Sequence, residues 1–156
     1  MERPDFFTLK NGEKAKLPFT NSEYDRRVNN LRNVMDKNNL LKIAKFIIRK
    51  HNLKSKVNFS KRSNDKGRYD WQDDIITLAP NPKNMLDFVE SVLHEVDHAM
   101  MRKKMGSDEY EWKYTKAGQI ALDKGKDFYW DNPFEKQAEK YARVNGKKWL
   151  KKISSL

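Results

Sequence analysis

The sequence predicts an α+β protein, mostly helical, with a small antiparallel sheet of two to four short strands packed on one long helix. Three observations lead there. Apolar residues recur at helical spacing in several separate stretches. Between Val57 and Leu78 the period drops to two. The longest helical stretch, Met85 to Met105, carries His-Glu-x-x-His in its middle. The chain has 156 residues, 37% hydrophobic and 35% charged, enough for one modest core. We therefore expect an N-terminal arm over residues 1–19 and a single domain over 20–156.

The elements follow in order. Thr20 with Glu23 reads as a capping box, and Tyr24, Val28, Leu31 and Met35 line one face of the helix behind it. Asn38-Asn39 is expected to break that helix. A richer one follows with Leu40, Leu41, Ile43, Ala44, Phe46, Ile47 and Ile48, ending near His51-Asn52. Val57 and Phe59, then Tyr69 and Trp71, alternate with polar residues, and Ile75–Leu78 is a β-rich run. Asn81 or Asn84 can cap the long helix, whose lysines 103 and 104 precede Gly106 at C′. Ser107 can cap a further helix through Tyr110, Tyr114 and Ile120. After an aromatic loop at 127–131, Asn132-Pro133 opens the last helix, with Asn at N-cap and Pro at N1.

Chemistry concentrates in His94-Glu95-Val96-Asp97-His98. At about 100° per residue, two histidines four apart lie on one face, one turn from each other, and can bind a single tetrahedral zinc. Glu95 is offset from them by about 100°, beside the metal, where it can take a proton from water. Leu86, Val89, Val92, Leu93, Val96 and Met100 form an opposing apolar face, and Asp87 and Ser91 are expected to make the histidine side a polar cleft. The bland alternative is a helix with two surface histidines beside a salt-bridging glutamate.

A catalytic zinc needs a third ligand and an open position. The chain has no cysteine, and its only other histidine, His51, lies upstream. A downstream carboxylate remains. Phe134-Glu135-Lys136-Gln137-Ala138-Glu139-Lys140-Tyr141-Ala142 offers Glu135 and Glu139 on one helical face. One can bind the metal while the other orients a ligand histidine through its free ring N–H. Ala138 and Ala142 permit close approach to the first helix. Glu135 also sits at N3 of an Asn132 capping box, a role that would keep it from metal.

An HExxH helix followed by a helix with Glu-x-x-x-Asp/Glu resembles the gluzincin pattern of thermolysin-like metallopeptidases. The segment F-E-x-Q-A-E-x-Y-A is similar to the ligand helix of CAAX prenyl-type metallopeptidases. Residues 71–142 resemble small phage-encoded metallopeptidases. These resemblances imply a zincin-like fold, with His94, His98 and Glu135 on zinc, Glu95 as general base and Glu139 hydrogen-bonded behind a ligand. The acid at the last position is usually Asp in that pattern and is Glu here. In such folds the strand beside the metal, here Ile75–Leu78, holds an extended protein or peptide substrate; its other reading is a core strand. Tyr110, Tyr114, Tyr129 and His51 are candidates to polarise the scissile carbonyl.

Lys+Arg number 33 against 22 Asp+Glu, a net charge of +11. Residues 42–61 and 147–152 are the densest, and such a surface favours phosphate backbones or acidic proteins. The second functional reading is accordingly a basic nucleic-acid- or protein-binding module whose zinc site is structural or inactive. The absence of cysteine excludes disulfide scaffolds, cysteine-ligated zinc fingers and cysteine nucleophiles. No apolar run approaches the roughly 18–20 residues of a membrane span, and no leader pattern opens the chain. The expected location is a cytoplasm, that of the host if the gene is phage-borne.

Overall fold

The computed structural model describes residues 35–61 and 66–155. The expected arm and the helix opening at Thr20 lie outside the described residues. Within them the fold is mixed α and β: four helices and a three-stranded sheet.

Helix α1, Lys37–Lys50, starts earlier than the Asn38-Asn39 signal suggests, because the Asp36 side chain accepts the Asn39 N–H at 2.9 Å and so caps it. Leu40, Ile43, Ala44, Ile47 and Ile48 are buried at the spacing of one helical face. His51 closes the helix. Its Nδ1–H donates to the Ile47 carbonyl at 2.7 Å, so its Nε2 accepts from the Tyr141 hydroxyl at 2.6 Å. The bond accepted by Nε2 requires the neutral ring, whereas the Nδ1–H donation does not. Burial lowers the His51 pKa against the opposing pull of the Ile47 carbonyl, and Lys152 and Lys148 lower it further. The unfolded chain thus takes up this proton more readily than the folded one, so His51 costs stability as pH falls below about 6.5. In thermal melts from pH 7.5 to 5, His51→Gln is expected to lose part of the wild-type decline. Identical slopes would show that the ring contributes nothing to it.

Strands β1 (Lys56–Phe59), β2 (Gly67–Asp70) and β3 (Ile75–Leu78) form one sheet in the order β1-β3-β2. The sheet is not wholly antiparallel, as expected, but mixed: β2 runs antiparallel to β3, whereas β1 runs parallel to it, with Lys56 opposite Ile75. Burial explains the arrangement. Ile76 and Leu78 are fully covered, while β1 and β2 alternate between half-buried and exposed residues. The most apolar strand therefore takes the centre. The β2–β3 turn is shaped by Asp70, whose carboxylate accepts the N–H groups of Gln72 and Asp73. Trp71 falls in this turn and not in a strand.

Helix α2, Met85–Met105, is capped by Asn84, not Asn81: its side chain accepts the Asp87 N–H at 2.8 Å. Gly106, at φ +92°, ends it and turns directly into α3, Ser107–Asp123. Ser107 is thus the first helical residue, and its hydroxyl donates to the Trp71 carbonyl instead of capping. Helix α4, Pro133–Ser154, opens on Asn132, whose side chain accepts the Phe134 N–H.

Helix α2 is central. Every residue from Met85 to Ala99 is buried, so the two histidines are not the surface residues of the bland alternative. The sheet and α1 cover its apolar face, and α4 lies along the other. Ala138, Ala142 and Gly146, spaced by four, are all buried in this contact. A Cβ added to Gly146 would stand 2.9 Å from the Glu90 Cγ, which measures how closely the helices approach. Asp87 and Ser91 do not face the histidine cleft. Asp87 pairs with Lys66, and both residues line a separate cavity under Pro80 and Pro82. Among the described residues, no helix is long and apolar enough to cross a membrane.

Candidate metal centre

Seven charged or polar side chains of α2 are buried: Asp87, Glu90, Ser91, His94, Glu95, Asp97 and His98. Burying such groups costs several kcal/mol each, roughly, unless partners compensate. The partners of the two histidines define a site.

Each histidine is gripped at Nδ1 and aimed with Nε2. The His94 Nδ1 lies 2.9 Å from the Glu139 carboxylate. A carboxylate only accepts, so Nδ1 carries the proton. The His98 Nδ1 lies 2.8 Å from the Tyr110 hydroxyl, which is buried beneath it. Both Nε2 atoms then converge on one oxygen, Glu135 Oε1, at 2.8 and 2.9 Å. The two Nε2 atoms thus face an anionic oxygen at hydrogen-bonding distance, where either a ring proton or a metal ion balances its charge. The other Glu135 oxygen accepts from the Tyr114 hydroxyl. The buried group His94, His98 and Glu135, with ligand atoms all within 4.8 Å of one another, could hold a metal ion.

The electrostatics agree. Burial alone would raise the Glu135 carboxyl. Hydrogen bonds from His94 and His98, the charge His98 can carry and the Tyr114 hydroxyl outweigh that and hold it well below the usual carboxylate range. Burial, followed by the nearby Glu135 charge, pushes Tyr110 and Tyr114 upward, so both stay neutral. Burial also raises the Asp97 carboxyl, which accepts from the Gln137 side chain at 3.3 Å.

Glu135 is not a capping-box glutamate here. Its side chain turns away from the helix start, and the Asn132 N–H bonds to the Tyr129 carbonyl instead. Glu139 reaches His94 from behind and leans on Arg143 at 3.3 Å. Glu95 is almost wholly buried, one turn-quarter round from the histidines. Its carboxylate lies against β2, where a Cβ on Gly67 would come within 3.2 Å of Oε2.

A cavity of about 100 Å³ opens here, lined by Glu95, His98 and Glu135, by Gly67, Arg68 and Tyr69 of β2, and by Trp71, Tyr110, Tyr114 and Tyr129. The wall strand is β2, the sheet edge, and not β3, which is central. Ile75–Leu78 is thus the core strand of the two readings. His51 is elsewhere, stacked on Trp149 at 5.0 Å. Tyr110 and Tyr114 are committed to the histidine and the glutamate, leaving Tyr129 at the rim, 38% exposed. Sequence reasoning missed this supporting use of the two tyrosines, although their spacing of four on α3 was a signal for it. Nothing in the sequence marked Gly67 or Trp71 as cavity wall. Compared with known proteins, the chain matches no family model, no curated protein and no solved structure.

Proposed function

We propose that this protein is a zinc-dependent metallopeptidase of gluzincin type. One observation carries the reading: two imidazole Nε2 atoms and a buried anionic carboxylate converge on a single point, with the carboxylate of Glu95 in the same cavity. Two nitrogens and one oxygen suit zinc better than calcium or magnesium, which prefer all-oxygen shells. When bound, zinc supplies Lewis acidity that polarises a carbonyl and lowers the pKa of water.

The chain's own residues do the rest. His94, His98 and Glu135 hold the ion, while Glu139, Tyr110 and Tyr114 fix the orientation of those three. Glu95 takes a proton from the attacking water as its oxygen bonds to the carbonyl carbon. Glu95 then gives that proton to the amine nitrogen as the C–N bond breaks. Strand β2 is an edge of the sheet, paired to β3 on one side, and its Gly67, Arg68 and Tyr69 line the cavity, a placement suited to an extended peptide added to that edge.

Elemental mass spectrometry of the purified chain, alongside hydrolysis of a quenched-fluorescent peptide library, tests this. The expected result is one zinc per chain and cleavage that a chelator stops and zinc restores. A chain that takes up no zinc when it is supplied refutes the site. Stoichiometric zinc without cleavage of any peptide replaces the enzyme with the structural-site reading.

A further inference from the structure

Away from the metal centre, the most uneven feature of the molecule is its charge. The 14 residues of α1 include five lysines and arginines, residues 140–155 include six, and neither segment contains an aspartate or glutamate. These eleven account for the entire +11 excess, since the remaining 22 cations are matched by 22 acids.

The fold brings the two segments together. His51 bonds to Tyr141 across 90 residues of sequence, and Phe46 meets Trp149 edge-on at 6.2 Å. Lys50 Nζ lies 5.7 Å above the Phe46 ring, and Lys152 Nζ lies 4.4 Å above Trp149. Ammonium groups from both helices therefore flank one aromatic seam. Lys148 is close enough to His51 to depress its proton affinity, which places it on the same face. Arg49, Lys50, Lys148, Lys151 and Lys152 are all exposed.

Cations in a helix's last turn ordinarily complement its dipole, and Arg49, Lys50, Lys151 and Lys152 do so. That leaves Lys37, Lys42, Lys45, Lys140, Arg143, Lys147 and Lys148 beyond this need, of which Arg143 pairs with Glu139. The seam is also remote from the metal: Glu135 and Trp149 are separated along α4 by about 21 Å at 1.5 Å per residue.

We infer that this face binds the phosphate backbone of a nucleic acid. The cations from Lys140 to Lys152 run along about 18 Å of one helix, and a nucleic acid presents a row of anions, one per roughly 1.7 Å of duplex axis. A membrane surface is disfavoured because the apolar faces of both helices, Ile43 and Ile47 on one and Trp149 and Ile153 on the other, are buried in the core. Contact through ammonium groups positions a backbone without reading bases, so the binding is sequence-independent.

Fluorescence anisotropy with a labelled 20-bp DNA duplex and a 20-nucleotide RNA strand, titrated with the full chain at several salt concentrations, tests the face. The expected result is binding at low salt whose logarithm falls linearly with that of salt. Lys148→Ala/Lys151→Ala/Lys152→Ala is expected to reduce that slope by about 2–3. Lys116→Ala/Lys124→Ala/Lys126→Ala removes the same charge from α3 and its end, and is expected to keep the slope nearly intact. Circular dichroism verifies that both variants are folded. Equal losses in the two variants would reduce the effect to net charge and overturn the face. So would failure of the wild type to bind either nucleic acid at low salt, or binding to anionic vesicles or poly-glutamate as tight as to the duplex.

Discussion

Glu95→Gln is expected to keep one zinc per chain and to hydrolyse peptides about 10²–10⁴ times more slowly than the wild type, the usual worth of a positioned general base. The substitution is nearly isosteric in a place that has no spare room. The Glu95 side chain is 2% exposed and lies against Gly67, so a glutamine fills the same volume and the fold persists. The metal ligands are untouched, because His94, His98 and Glu135 are held from other directions by Glu139, Tyr110 and Tyr114. The amide has no basic site to accept a proton, and that loss is what the assay reads. Rates within about tenfold of wild type at full zinc occupancy would remove Glu95 as the base.

Withdrawing the metal is expected to lower the melting temperature by about 10 °C. A metal present at about one hundred times its dissociation constant stabilises the folded state by roughly 2.7 kcal/mol, and a domain of this size shifts by about 3–5 °C per kcal/mol. Differential scanning calorimetry with zinc and with chelator measures the gap. Glu135→Ala should abolish it, since both histidine Nε2 atoms point at that carboxylate. Glu139→Gln should only narrow it, through a loss of about 10–100-fold in affinity, because Glu139 acts on the far nitrogen of His94. The gap should also shrink as pH falls through the imidazole range, where protons compete for the ligand atoms. A gap that survives Glu135→Ala and disappears in a Glu139→Ala variant would exchange the roles of the two glutamates.

Much of the local structure was legible because it is written in short-range chemistry. Asn84 and Asn132 cap their helices through side chains that accept nearby N–H groups. Gly106 ends α2 because it alone tolerates a φ of +92° there without strain. The errors were of a different kind. The parallel pairing of β1 with β3 depends on which strand takes the buried centre, a contest among three strands that no single stretch encodes. Asp87 and Ser91 share a helical side with His94, yet they open onto another cavity, because β2 and the segment after β3 divide the surface between them.

The candidate site divides in the same way. The sequence by itself determined that His94 and His98 stand one turn apart with Glu95 beside them, since helical pitch alone sets that relation. It also narrowed the third donor to Glu135 or Glu139, which share a face. Only the tertiary structure decided which oxygen meets the two Nε2 atoms. The choice depends on the height at which α4 crosses α2, and that height is set by Ala138, Ala142 and Gly146 packing against the long helix. A register one turn different would exchange the two glutamates while leaving every local pattern in the sequence unchanged.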